Sequence, residues 1–101
     1  MGYRMPHAGV DDRGLQDWIN ALRDRAARAR IQVRVDRLAH GNAGQHRKLA
    51  GGIVELKIDA GPGYRVYYTE RGGELIVLLS GGDKSSQQRD IELARSLAEN
   101  L

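Results

Sequence analysis

Residues 51–87 read GGIVELKIDAGPGYRVYYTERGGELIVLLSGGDKSSQ, and this stretch decides the fold. From Ile53 to Asp59 the chain alternates: Val54, Leu56 and Ile58 leave one face of an extended segment, and Glu55, Lys57 and Asp59 leave the other. Tyr64–Thr69 alternates in the same way, with Tyr64, Val66 and Tyr68 opposed to Arg65, Tyr67 and Thr69. Between them Ala60-Gly61-Pro62-Gly63 supplies the residue types a chain reversal needs, so the two strands are expected to form a hairpin. With the apolar faces on the core, Glu55, Lys57, Arg65 and Tyr67 are delivered together to the opposite, charged face of the sheet.

Leu75–Ser80 is apolar on both faces, as a central or doubly covered strand is, and is read as a third strand in the middle of the sheet. Arg71-Gly72-Gly73 joins it to the second strand as a tight turn. Gly81-Gly82-Asp83-Lys84 reads as the turn that ends it, which places Lys84 at a rim.

Outward from the sheet the spacing becomes helical. Leu15, Trp18, Ile19 and Leu22 form one apolar face behind possible caps at Asp11 and Asp12, with Trp18 read as core. Ala27, Ile31, Val35 and Leu38 form a second face that stops at Gly41-Asn42. The run from Ile31 to Val35 also alternates like a strand, but its Ala- and Arg-rich flanks favour helix. Beyond Lys84, Ser85 with Gln88 three residues later is the pattern of a capping box. Ile91, Ala94, Leu97, Ala98 and Leu101 then line the last helix. The expected architecture is α+β, with two N-terminal helices packed on a small twisted, mostly antiparallel sheet and a C-terminal helix. Residues 1–101 are expected to form one domain, of which 1–10 are poorly defined.

The 101 residues include no cysteine, which excludes disulfides and thiolate metal sites and favours a reducing compartment. No apolar run approaches the ~20 residues of a membrane span, and the first residues lack the apolar core of a secretory signal, so a cytoplasmic location is expected. The net charge of +3 is uneven: residues 1–50 carry ten Arg or Lys against five Asp, and residues 51–101 carry six against eight. The cluster of Arg23, Arg25, Arg28, Arg30, Arg34, Arg37, Arg47 and Lys48 fits a footprint for nucleic acid or an acidic partner, or a solvated helix face.

The strings Arg47-Lys-Leu-Ala-Gly-Gly-Ile-Val-Glu-Leu-Lys57, Gly61-Pro-Gly-Tyr-Arg-Val-Tyr-Tyr68 and Gly81-Gly-Asp-Lys-Ser-Ser-Gln87 closely resemble the phage-derived, HigB-like (Gp49-like) branch of the RelE/ParE toxin superfamily. The similarity runs from Leu15 to about Leu101. It implies an addiction-module killer protein, the toxin of a type II toxin–antitoxin pair, neutralised by a cognate antitoxin that is often a helix-turn-helix protein. Relatives similar to RelE cut messenger RNA on the ribosome without a metal or other cofactor. By position, the resemblance implies catalytic roles for Arg65, Lys57, Lys84 and Glu55. This chain departs from the pattern in carrying Glu55 in place of a cation, in lacking a Tyr or His near Asp90, and in lacking a clear first strand of alternating apolar residues.

The residue types suit that chemistry. Cleavage by an RNA 2′-hydroxyl needs a base, positive charge around the phosphorane and an acid for the departing 5′-oxygen. Arg65 offers a planar fork for phosphate, Lys57 a point charge, Glu55 a base and Lys84 an acid. Arg47, Lys48, Tyr67 and Gln87 are the expected RNA-binding residues, Tyr67 as a stacking platform because Tyr64 and Tyr68 face the core. A solvated cross-strand charge lattice is the alternative on the same residues. The superfamily also implies two other functions: a ParE-like inhibitor of DNA gyrase, and a degenerate module that binds its antitoxin as a co-repressor. His40 and His46 flank a loop without a carboxylate, so no metal site is expected.

Overall fold

The computed structural model describes residues 13–72 and 75–101. The segment 1–10, the candidate caps Asp11 and Asp12, and Gly73 of the Arg71-Gly72-Gly73 turn lie outside them. Helices α1 (Arg13–Ala21) and α2 (Arg25–Ala39) precede strands β1 (His46–Lys48), β2 (Val54–Ile58), β3 (Tyr64–Arg71) and β4 (Leu75–Asp83); a 3₁₀ turn at Lys84–Ser86 leads into α3 (Gln87–Glu99). The architecture is α+β. The strands form an antiparallel sheet in the order β1-β2-β3-β4.

The Ile31–Val35 segment is helical, as its flanks require. The Asp24 side chain accepts a hydrogen bond from the Ala27 N–H at 3.1 Å and starts α2. At the other end Gly41 turns left-handed at φ +88°, and the Asn42 N–H reaches back to the Arg37 carbonyl. The predicted stripe of Ala27, Ile31, Val35 and Leu38 is buried along its length. It shares one core with Leu15 and Ile19 of α1 and with Leu56, Ile58, Tyr64, Val66, Tyr68, Ile76 and Leu78 of the sheet. Trp18 is only partly buried at the edge of this core, its ring 6.0 Å from that of Tyr64 in an edge-on arrangement, because α1 crosses the sheet at the end of β4. This corrects the reading of Trp18 as a core residue.

The third strand of the sequence reading, β4, is the last strand of the described sheet and not its middle. Its two apolar faces have another cause. Ile76 and Leu78 enter the core under α1 and α2, while Val77 and Leu79 enter a second core with Ile53, Tyr67, Ala94 and Ala98 under α3. A doubly covered strand needs apolar residues on both faces wherever it stands in the order. The short strand β1, absent from the sequence reading, pairs His46, Arg47 and Lys48 with Leu56, Glu55 and Val54. Three polar, exposed residues carry no alternation that would mark them.

Gly81 and Gly82 do not form the predicted turn. They continue β4, paired with Val66 and Arg65, and their missing side chains let both helical layers approach. A Cβ on Gly81 would stand 2.5 Å from the Trp18 ring, and one on Gly82 would overlap the Asp90 carboxylate. The cap of the last helix also differs from expectation. The capping box forms earlier, at the 3₁₀ turn, where the Asp83 side chain accepts the Ser85 N–H and Ser86 is the reciprocal partner; Ser86, the N-cap of α3 itself, makes no side-chain cap hydrogen bond. Gln88 instead reaches forward to Glu92. The extra 3₁₀ turn rotates Gln87 onto the sheet face beneath α3.

Candidate functional site

The hairpin register sets Lys57 opposite Arg65 and Glu55 opposite Tyr67, while β1 brings Arg47 opposite Glu55. These cross-strand pairs share the sheet face that α3 covers. Because α3 lies over β3 and β4, it buries Tyr67 and leaves a cleft of about 450 Å³ over β1 and β2, lined by Gln45, His46, Arg47, Glu55, Lys57, Arg65 and Gln87. The charged face of the sequence reading is thus half roofed. Glu55 and Arg65 are only 2 % and 6 % exposed, so a solvated charge lattice does not describe them.

Glu55 is the hub. Its Oε2 accepts the Tyr67 hydroxyl at 3.0 Å and the Gln87 side-chain amide at 2.8 Å. Its Oε1 faces Arg47 Nη2 at 3.2 Å and Arg65 Nε at 3.9 Å. The second of these distances is too long for a hydrogen bond. Among the described residues Arg65 Nε is a buried donor without an acceptor, although Nη1 of the same side chain donates to the Tyr64 carbonyl. A buried guanidinium donor left unpaired beside a cleft is a costly feature and marks a place where an acceptor would be gained.

The predicted residues divide in three. Arg65, Lys57, Glu55, Arg47 and Gln87 come together in the cleft. Lys84 is not among the lining residues, although both it and Arg65 lie beside the hairpin turn: a Cβ placed on Gly63 would stand 3.3 Å from Arg65 Nη1 and 3.9 Å from Lys84 Cβ. Lys48 and Tyr67 do not line the cleft. Lys48 pairs with Val54 on the opposite sheet face and lines a separate groove with Leu49, Val54 and Tyr68. Tyr67 is wholly buried under α3 and presents no ring face to a base. Its function in the structure is to hold Glu55. Gln87, expected to touch RNA, makes its hydrogen bond to the same carboxylate.

Sequence reasoning passed over Gln45 at the cleft and weighed His46 there only as a metal ligand. The His46 ring is hydrogen-bonded through Nδ1 to the Gly44 carbonyl, which can only accept, so Nδ1 carries the proton. Arg34 was missed in another sense. It was grouped with the basic footprint, yet it donates to the carbonyls of Lys57, Ala43 and Gln45 and clamps the edge of β2 to the loop before β1. Arg30 similarly engages the Asp59 carbonyl. Among the described residues no three His, Asp or Glu side chains gather as metal ligands.

Burial, and after it the charge and hydrogen bond of Glu55, push the Tyr67 phenol well above its ordinary value of 10.0. The protonated phenol therefore contributes stability that is fully present below pH 10 and is lost as the pH rises toward the folded-state value. Tyr67→Phe should cost about 2 kcal/mol at neutral pH, the scale of a hydrogen bond to a charged group. The gap between the two proteins should narrow above pH 10. Urea unfolding of both at pH 7 and in the alkaline range checks the sign, and a gap that widens with pH would contradict the hydrogen bond to Glu55.

Residues 17–99 match the model of the phage-derived Gp49-like protein family. The chain belongs to that family. An uncharacterized protein of Haemophilus influenzae is 46 % identical over 84 residues, covering 83 % of this chain and 85 % of the relative. No solved structure matches the chain significantly. The matched region contains both helical layers from Asp17 onward, the described strands and the residues that line the cleft, so the site lies within the matched span. No helix among the described residues is long and apolar enough to cross a membrane.

Proposed function

We propose that this protein is the toxin of a type II toxin–antitoxin module and acts in the cytoplasm as a ribosome-dependent messenger-RNA endoribonuclease. Its partners are a cognate antitoxin of the helix-turn-helix type, the ribosome and the message. The observation that carries the reading is the unpaired Nε of Arg65, buried at the wall of a cleft that also holds Lys57 and Arg47. A phosphate in that cleft gains a charge-assisted hydrogen bond from a donor that has already left water. In the proposed reaction Arg65 and Lys57 stabilise the charge of the phosphorane, and Glu55 takes the 2′-hydroxyl proton as that oxygen attacks phosphorus. Lys84 protonates the departing 5′-oxygen, giving a 2′,3′-cyclic phosphate and a free 5′-hydroxyl.

A second reading, a ParE-like gyrase inhibitor, is supported by the engagement of Glu55 with the surrounding donors and by Asp90 standing where some relatives place a Tyr or His. The readings separate in cells. Induction should arrest growth with protein synthesis falling first and with new 5′ ends appearing inside translated messages. Loss of plasmid supercoiling with intact messages would favour the gyrase target, and unimpeded growth would reject both.

A further inference from the structure

The Glu55 carboxylate occupies the position that an anion would take in this cleft. Arg47, Arg65, Tyr67 and Gln87 converge on it from β1, β3 and the start of α3. Two features of the arrangement are asymmetric. Oε2 is held by two hydrogen bonds from uncharged, buried or half-buried donors, whereas among the described residues Oε1 is approached only by the two arginines. Of these, Arg47 is 60 % exposed along its side chain, and Arg65 stands too far away to bond. The carboxylate is firmly fixed through one oxygen and loosely held through the other.

We propose that Glu55 is an internal stand-in for phosphate, and that an incoming oxyanion takes Arg47 away from Oε1 and accepts from the unpaired Arg65 Nε, while Tyr67 and Gln87 keep Oε2 in place. Three consequences follow from this exchange. The two guanidinium groups are held ready for the substrate without leaving bare positive charge in a half-buried cleft, which would be costly. Glu55 competes with the substrate, so the empty site is self-inhibited. Once a phosphate has drawn Arg47 off and engaged Arg65, Oε1 is left free of donors next to the bound anion, where a base is required. The exchange deepens the ribonuclease reading and rests on it for its biological meaning, but anion binding itself can be measured without ribosome or message.

The test uses inorganic phosphate as the probe and the full chain. In the unmodified protein, phosphate titration followed by ¹H–¹⁵N NMR should shift the Arg65 Nε–Hε signal along a saturable curve. An Arg65 signal that does not move overturns the proposal. Glu55→Gln, which keeps an oxygen for Tyr67 but removes the competing charge, should tighten phosphate binding about tenfold, equivalent to about 1.4 kcal/mol. Asp59→Asn, an equal change of net charge on an exposed residue outside the cleft, should leave it nearly unchanged. Adding Arg65→Lys to Glu55→Gln should abolish the gain, because lysine lacks the planar fork. Unaltered or weaker binding in Glu55→Gln, an equal gain in Asp59→Asn, or a gain that survives loss of Arg65 would each refute the exchange. Message cleavage in cells that persists despite such a result would leave the ribonuclease reading standing and remove only the exchange.

Discussion

Arg65→Lys should lower message cleavage and toxicity by at least ~10²-fold, the scale for removing one preorganised donor to a developing oxyanion. The charge survives in this variant, but the unpaired Nε donor does not. Lysine is the better probe here because Arg65 is nearly buried, and alanine would leave both a cavity and a Glu55 carboxylate short of one cation. Arg65→Ala should lose activity as completely and should also lower the melting temperature. Induced growth arrest, transcript 5′-end mapping and a thermal melt of each purified variant form the measurement. A folded Arg65→Lys protein that arrests growth as fully as the original would remove Arg65 from the proposed mechanism.

Gly82→Ala should be the most damaging single methyl group in this chain. It pairs with Arg65 on β4, and its absent side chain is the space that the Asp90 carboxylate and the Ser86 hydroxyl occupy. These two side chains are hydrogen-bonded to each other, and the Ser80 hydroxyl donates to the Asp90 carbonyl, so α3 cannot slide aside without breaking polar contacts. Overpacking of this kind costs about 3 kcal/mol, and in a domain of this size that lowers the melting temperature by ~15 °C. Displacing the start of α3 would also draw Gln87 away from Glu55, so anion binding should change along with stability. Gly81→Ala should cost less, because the partly buried Trp18 ring that it meets can tilt toward solvent. A Gly82→Ala protein that melts within a few degrees of the original would show that α3 packs less closely than the structure describes.

Both expectations concern residues whose chemistry the sequence displays but whose surroundings it conceals. The structure pairs Lys57 with Arg65 and Glu55 with Tyr67, and alternation in Ile53–Asp59 and Tyr64–Thr69 predicts the hairpin and the face that these four residues share. That shared face is a local fact, since side chains leave a strand on alternate faces whatever covers them. The two-sided apolarity of β4 is a local fact as well. It signals covering on both faces, and it does not distinguish a central strand from the end strand seen here.

By itself, the sequence determined the α+β class, the helix and strand types, and the set of charged residues on one face of the hairpin. Each follows from periodicities of two or of about 3.6 residues that the backbone imposes locally. Only the tertiary structure decided which of those charged residues meet water. The placement of α3 across β3 and β4 buries Tyr67, makes Glu55 a hub with four donors around it, and leaves one nitrogen of Arg65 without an acceptor. The close approach at Gly82 and the 3₁₀ turn that carries Gln87 onto Glu55 depend on contacts between residues far apart in the chain. No local pattern encodes such contacts, because the free energy of burying a polar group is set by the neighbours that the folded chain brings to it.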